Sequence, residues 1–359
     1  MRGVFVAGGT GGHVYPALEV ARESKKSGVE IYWIGKESSL EEKLSLKEGF
    51  IFEYTKSSGF KKKNLREKTV SVFYLIVSFI KSIFILTKIK PNFIFCCGGY
   101  MSLGPGLASF LLRIPLFIHE QNSVAGSANK ILARFALKIF EGFPSSFKEN
   151  QKVEFVGNPV RTEITSFKDS YRKDCSKNNL HLLILGGSQG SVQLNSIVMK
   201  ALEKFKERDD WVITHQSGES DRSRLENFYS KLNFDYKVEA FIEDMGEAYQ
   251  HADLVISRSG AMTISELIAT NKPSILLPLP WSTDDHQSLN AKYLKDLGAA
   301  EVVRSNEDNI SELVSTISKL ATDEEKRLSM SNSTKLAHLP EVAKEIFIKI
   351  NESIKQVPN

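Results

Sequence analysis

Short apolar runs, each closed by a glycine-rich or polar cluster, alternate along the chain with segments of helical period. Residues 4–7 run into GGTGGH at 8–13, and a helical pattern follows through Ala17, Leu18, Val20 and Ala21. The same pattern predicts strands at 30–34, 51–54, 93–96, 116–118, 138–140 and 154–156, with a helix near 39–47. A polar segment rich in Ser, Lys and Asp then occupies 162–179, a composition typical of a linker. Beyond it the opening pattern recurs: HLLILGGSQGS at 181–191 is again an apolar run, a glycine turn and a helix start. Strands are expected at 211–214, 236–240, 254–256, 274–277 and 301–303. Alternating strands and helices imply parallel sheets covered on both faces, so the reading is α/β, two doubly wound parallel-sheet domains in tandem. The expected boundaries are 1–162 and 163–340, with a C-terminal helix in 341–359.

Ligands of such sheets sit beyond the carboxyl ends of the strands, and the unusual residues of this chain gather there. The first half offers CCGGYMSLGPG at 96–106, HEQN at 119–122 and GNPVR at 157–161; the second offers HQSGE at 215–219, FIED at 241–244 and DDHQSLNA at 284–291. Most informative is DLVISRSGAMTISE at 253–266, an apolar strand, a sharp polar turn and a helix opening at Ala261. Its free N–H groups and positive dipole end suit phosphate, while Glu266, on the face of Thr263, suits sugar hydroxyls. An ordinary capped helix would look the same in isolation. The glycine spacing matches neither the dinucleotide fingerprint nor the Walker loop, which argues against a nicotinamide dehydrogenase.

Composition narrows the classes. A length of 359 residues suits two cores, and 42% apolar with 25% charged residues is ordinary for a globular protein. Three cysteines, two of them adjacent at Cys96 and Cys97, offer no disulfide framework and no metal-ligand spacing. No metal or cofactor is expected; Asp284 and Asp285, being adjacent, read as a helix-start pair. The first strand follows Met1-Arg2 directly, leaving no room for a signal peptide in the residues given, and a cytosolic location is expected. A net charge of +4 is too mild to imply nucleic acid, and no nucleic-acid-binding motif accompanies it.

The most hydrophobic window, 70–89, must be weighed as a membrane span, but a span would tear apart a strand-helix-strand unit. Ser71, Ser78, Ser82 and Lys88 form a narrow polar stripe, and Lys61, Lys62, Lys63, Arg66 and Lys68 precede the window. Polybasic residues beside an apolar helix favour a peripheral contact of the 61–89 region with an anionic membrane surface over a helix buried all round.

The glycine turns, HEQN, GNPVR, GGSQG and RSGAMTISE, in this order from Val4 to about Leu297, closely resemble the MurG family of bacterial transferases. The resemblance implies the glycosyltransferase-B fold, two Rossmann-like domains facing a cleft. It also implies UDP-N-acetylglucosamine as donor, lipid I as acceptor and lipid II as product. The implied location is the cytoplasmic face of the inner membrane, as a peripheral protein, with other cell-wall synthesis proteins as further partners. Carried over, it assigns Ile242 to uracil through its backbone. Ser188 and Ala261, Met262 and Thr263 go to the diphosphate, Ile264 and Ser265 to substrate binding more generally, and Glu266 to the ribose. Gln287 goes to the sugar, with His286 standing where some members have glutamine. Thr10, Gly11, Gly12 and Asn122 would close over the transferred sugar, and Arg161 would assist donor or acceptor phosphates. His13, an imidazole at a glycine turn, is the first candidate for general base and Glu120 the second; a helix-capping or sugar-orienting His13 is the alternative. Another lipid-directed transferase of the same fold, or a non-enzymatic nucleotide-binding protein, would share much of this pattern.

Overall fold

The computed structural model describes residues 1–55, 65–147, 151–166, 179–187, 190–282 and 285–356, excepting the side chains of 65–68. Ser188, Asp284 and the lysines at 61–63 lie outside the described residues, as do the side chains of Arg66 and Lys68. The chain forms two compact units, one of Met1–Arg161 with Leu339–Asn359 and one of Thr162–His338.

Unit 1 holds strands β1 (Arg2–Val6), β2 (Glu30–Gly35), β3 (Ile51–Tyr54), β4 (Phe93–Cys96), β5 (Leu116–Glu120), β6 (Lys138–Glu141) and β7 (Val153–Phe155). Helices α1 (Gly11–Lys26), α2 (Leu40–Lys47), α3 (Leu65–Ile89), α4 (Leu103–Leu111) and α5 (Ser127–Leu132) connect them. The sheet order is β3-β2-β1-β4-β5-β6-β7 with every pairing parallel. Successive strand residues point to opposite faces, and here both faces are apolar. Phe5, Phe93, Phe95, Phe117 and Phe140 fill one side, while Val4, Val6, Ile94, Cys96 and Ile118 fill the other. The C-terminal helix of this unit, running over Val342–Gln356, packs against α1, with Val342, Ile346, Phe347 and Ile350 joining the phenylalanine side of the core.

The sheet of unit 2 contains β8 (Leu180–Leu185), β9 (Trp211–Gln216), β10 (Asp235–Glu239), β11 (Leu254–Ser257), β12 (Ser274–Leu276) and β13 (Ala300–Val302). Its order is β10-β9-β8-β11-β12-β13, again all parallel. After the short α6 (Thr162–Thr165), helices α7 (Val192–Leu202), α8 (Arg222–Tyr229), α9 (Met245–His251), α10 (Ala261–Ala269), α11 (His286–Asp296), α12 (Ile310–Thr322) and α13 (Glu324–Ala337) cover it; the Val342–Gln356 helix is α14. Leu182, Ile184, Ile213, Leu254 and Ile256 pack with Leu194 and Val198 of α7 and Leu313, Ile317 and Leu320 of α12.

In both sheets the strand order reverses around a central pair, β1 and β4 in unit 1 and β8 and β11 in unit 2. These reversals are where doubly wound sheets open a crevice for ligands. Two strands run further than the hydrophobic pattern indicates: β5 includes His119 and Glu120, and β9 includes His215 and Gln216. Polarity did not end either strand, because these side chains are buried against hydrogen-bonding partners rather than solvent.

Helix α3 is apolar on its outer face as well as on the face where Ile85, Leu86 and Ile89 join the core. Ser71, Ser78 and Ser82 face inward, with the Ser78 hydroxyl accepting from Thr55 Oγ1 at 3.1 Å and the Ser82 hydroxyl donating to Ser78 O at 2.7 Å. Gly104 lets α4 approach closely, since a Cβ there would stand 2.4 Å from Ser78 Oγ. Val72, Phe73, Ile76, Ile80 and Phe84 point outward, and Phe73 and Phe84 are 62% and 71% exposed. Only 28% of the apolar Thr69–Ile89 window is buried, so the helix is not a core helix.

Candidate active site

At the reversal point of unit 1, β1 ends at Val6 and the chain turns through two glycines into α1, whose N-cap is Thr10. Gly9 has φ +97, a conformation only glycine adopts readily. Thr10 is exposed and Gly11 and Gly12 form the first helical residues, so main-chain N–H groups and the half-buried His13 ring are presented together. A Cβ on Gly11 would meet the Tyr15 ring at 2.9 Å. That ring in turn carries the Arg161 guanidinium 4.7 Å from its centroid, which brings GNPVR to the same end of the sheet.

The HEQN segment forms a buried polar lattice beside this turn. Glu120 Oε1 accepts from the Asn122 main-chain N–H at 3.0 Å and from Asn122 Nδ2 at 3.2 Å; Oε2 accepts from Gly126 N at 2.8 Å and Asn129 Nδ2 at 3.0 Å. The carboxylate is 2% exposed and works as the clasp of the loop between β5 and α5. His119 Nε2 donates to Gly157 O at 3.0 Å, and burial pulls this imidazole down to about 4, so it is neutral at pH 7. Gln121, 1% exposed, spans from Cys97 O, 3.0 Å from its Nε2, to His13 Nδ1, 3.1 Å from its Oε1. His13 and Gln121 are thus one connected pair, a link invisible in the sequence.

The reversal point of unit 2 is built differently. Helix α10 opens at Ala261 after Gly260, which has extended backbone and contributes no side-chain cap to the first-turn N–H groups. Met262 and Thr263 are half-buried there, Ile264 is wholly buried, and the Ser265 hydroxyl donates to Ala261 O at 2.9 Å. The strand-helix turn is clamped from beneath by Arg258, which is 5% exposed. Its Nη1 donates to Leu277 O at 2.9 Å and Ser305 Oγ at 2.6 Å, and its Nη2 to Ser191 Oγ and Gln193 Oε1 at 3.0 Å each. Burial lowers Arg258 to about 10, so it stays a cation at neutral pH.

Around this turn, Glu266 is 8% exposed and its Oε2 accepts from Tyr249 Oη at 3.1 Å. Gln216 joins two further segments: its Nε2 donates to Gly187 O at 2.7 Å and its Oε1 accepts from Ile242 N at 3.2 Å. The Ile242 N–H is therefore engaged within unit 2. Gln287 Oε1 accepts from Leu279 N at 2.9 Å, its carbonyl accepts from Ser259 Oγ at 2.8 Å, and Asn290 Nδ2 donates to Ser259 O at 3.1 Å, fastening α11 to the same turn. Asp285 caps α11 with φ 52 and accepts from the Ser288 hydroxyl. Among the described residues, no group of three or more His, Cys, Asp or Glu is placed to hold a metal ion.

Unit 1 thus gathers Thr10, Gly11, Gly12, His13, Glu120, Asn122 and Arg161 at one sheet end, and unit 2 gathers Ile242, Ala261 to Glu266 and Gln287 at another. Sequence reasoning missed the residues that hold these in place: Gln121, Asn129, Gln216, Tyr249 and Arg258. Gln121 and Gln216 do stand in motifs at strand ends, but nothing in a linear sequence says that one amide will span two of them.

Comparison with known proteins agrees with this architecture. Residues 4–141 match the glycosyltransferase family 28 N-terminal domain and residues 181–346 the glycosyltransferase family 28 C-terminal domain. The chain is 35% identical over 345 residues, 96% of both chains, to the UDP-N-acetylglucosamine–N-acetylmuramyl-(pentapeptide) pyrophosphoryl-undecaprenol N-acetylglucosamine transferase of Coxiella burnetii. It is 40% identical over 298 residues to the transferase of the same name from Nitrosospira multiformis, covering 83% of this chain and 84% of that one. The crystal structure of Acinetobacter baumannii MurG superposes with a TM-score of 0.80 at 29% identity, covering 98% of this chain and 99% of that one. The calicheamicin glycosyltransferase CalG4, 16% identical, shares the fold with a TM-score of 0.72. The fold is glycosyltransferase-B, and the chain belongs to the MurG family within glycosyltransferase family 28.

Proposed function

We propose that this protein moves N-acetylglucosamine from UDP-N-acetylglucosamine to the C4 hydroxyl of the muramoyl sugar of lipid I, forming lipid II for peptidoglycan synthesis. The observation that carries this reading is the kinship over 96% of both chains with a transferase named for that donor and acceptor. The two reversal points supply the chemistry such a transfer needs.

Unit 2 is the donor side. The N–H groups at Ala261, Met262 and Thr263 take the diphosphate together with Ser188, and Ile264 and Ser265 of the same helix belong to the substrate-binding set. The buried Arg258 cation beneath them favours the negative charge that grows on UDP as it leaves. Glu266, oriented by Tyr249, accepts from the ribose hydroxyls. The Ile242 N–H is taken by Gln216, so its carbonyl oxygen is the atom left to accept from uracil N3–H. Gln287 meets the sugar.

On the acceptor side, Thr10, Gly11, Gly12 and Asn122 are assigned to sugar contacts, and Arg161 assists the phosphates. His13 is the general base. As its ring takes the proton of the C4 hydroxyl, the oxygen forms a bond to the donor's C1, the C1–phosphate oxygen bond breaks, and the sugar is delivered with inversion. Glu120 is assigned to the loop clasp rather than to the base, because four donors already occupy its carboxylate. Transfer of labelled N-acetylglucosamine from UDP to a short-chain lipid I analogue tests the whole reading. Folded protein that binds UDP and transfers nothing would overturn it.

The acceptor is a lipid, and we place the outer face of α3 at the membrane. Phe73, Ile76, Ile80 and Phe84 would enter the interface of an anionic bilayer on the cytoplasmic side, aided by the basic residues at 61–68. Each phenylalanine buried contributes roughly 1.5–3 kcal/mol. Replacing Phe73 and Phe84 together by serine should therefore lower sedimentation with anionic liposomes at least tenfold, with donor binding untouched. Equal sedimentation of both proteins would sink the assignment.

A further inference from the structure

The roles above leave Gln121 without a task, although its side chain is buried in direct contact with His13. Its Nε2 donates to Cys97 O at 3.0 Å and lies 3.5 Å from His119 O, while its Oε1 faces His13 Nδ1 at 3.1 Å. Main-chain carbonyls only accept, so the amide can sit one way round: its NH2 toward Cys97 and His119, its oxygen toward His13. An amide oxygen also only accepts. His13 Nδ1 must therefore carry a hydrogen, and in the neutral ring Nε2 keeps the lone pair. The main chain of Gln121 is fixed too, its carbonyl accepting from Asn158 Nδ2 at 3.0 Å. Beside the ring lies Gly99, with φ +72; a Cβ there would stand 3.6 Å from His13 Cδ2 and 4.0 Å from Nε2, so the glycine keeps that edge clear.

From this arrangement we infer that Gln121 is a positioning residue for proton transfer: it holds His13 in the Nδ1–H tautomer, so that Nε2 is the atom that takes the acceptor's proton. The inference rests on His13 being the general base. A free histidine side chain favours the opposite tautomer, in which Nε2 carries hydrogen and cannot accept. When the hydroxyl gives its proton to Nε2, the resulting imidazolium keeps its Nδ1–H bond to Oε1, and the amide neither gains nor loses a proton.

The test begins on the unaltered full-length protein. Nitrogen-15 and carbon-13 NMR of histidine-labelled protein at pH 8, with the His13 signal identified by its loss in His13→Asn, reads the tautomer directly. His119, bound through Nε2 to Gly157 O, should show the Nε2–H form and serves as the internal contrast. His13 should show Nδ1–H. A wild-type His13 in the Nε2–H form overturns the inference without any variant. In Gln121→Met, which keeps the bulk and removes the acceptor, kcat should fall about 10- to 100-fold. KM for the donor should stay within about twofold, as expected when only a transition-state interaction is lost, and the His13 signal should move toward Nε2–H. An unchanged tautomer or an unchanged kcat in Gln121→Met overturns the assignment. Normal turnover of His13→Asn would defeat the general-base reading while leaving the tautomer measurement intact, so the two failures are separable.

Discussion

The two reversal points are the same device put to different uses. Each follows a central strand with a glycine turn and a helix start, and each has a second turn from the neighbouring strand beside it. In unit 1 the first turn of the helix carries an imidazole, and the loops around it are fixed by amide and carboxylate side chains bonded to one another. In unit 2 the first turn of α10 carries no titratable group, and a buried cation ties the surrounding carbonyls and hydroxyls. A site that must move a proton needs a group whose charge can change, whereas a site that must hold phosphate needs positive charge that does not. The fold supplies the crevice; the residue at the helix start decides which it becomes.

The contrast is broken most directly at its titratable end. His13→Asn should lower kcat by about 10²–10⁴-fold, the usual contribution of a general base, with the dissociation constant for UDP-N-acetylglucosamine within about twofold of wild type. Steady-state kinetics beside calorimetric donor binding checks both. A variant that loses donor binding instead would show that unit 1 holds the nucleotide, and the division of labour would be wrong.

Next in size is the cation. Arg258→Met strands buried carbonyls at Leu277 and Pro278 and hydroxyls at Ser191 and Ser305. A loss of roughly 3 kcal/mol in urea unfolding is expected, together with weaker UDP binding. Arg258→Lys should rescue little, because an ammonium cannot reach in the several directions that the planar guanidinium spans. Smaller still, Tyr249→Phe removes a single hydrogen bond to Glu266 and should weaken UDP binding by about fivefold, near 1 kcal/mol. Glu266→Ala should weaken it more, since it removes the ribose acceptor itself.

How legible all this was depended on range. Strands were readable because both sheets are buried on both faces, so Val4 to Ala7 or Leu254 to Ile256 appear as continuous apolar runs. Helix starts were readable from glycine and hydroxyl residues at local spacing. His119, Glu120, His215 and Gln216 read as loop because polar residues normally end a buried strand, and their partners, such as Gly157, Asn129, Tyr229 and Gly187, lie elsewhere in the sequence. Helix α3 was half legible: its serine stripe was plain, and the inward direction of that stripe followed from Thr55 and Gly104, which no periodicity indicates.

A buried histidine in each unit offers the finest comparison. Burial pulls His119 in unit 1 down to about 4 and His215 in unit 2 down to about 3. His215 is enclosed by Tyr229 Oη at 2.8 Å from Nδ1 and Asn195 Oδ1 at 3.1 Å from Nε2. In the unfolded chain both titrate near 6.5. Above that pH neither state binds the proton and the two rings add no pH dependence. Below it the unfolded chain takes up a proton that the fold refuses, so stability falls by about 1.4 kcal/mol per pH unit for each ring. The fall continues to about pH 4 for His119 and about pH 3 for His215. Between pH 6.5 and 5.5 these rings can be observed largely alone, because the carboxylates with depressed values, Glu154 and Asp221, lose their contribution only at lower pH. Urea unfolding across that interval should show the loss, and His119→Gln and His215→Gln should each flatten it by one ring's share while lowering stability at pH 7. If neither variant changes the slope, the rings are not held neutral. The polar lattice of unit 1 would then be wetter than its geometry indicates, and the contrast between a side-chain lattice and a cation clamp would lose its physical basis.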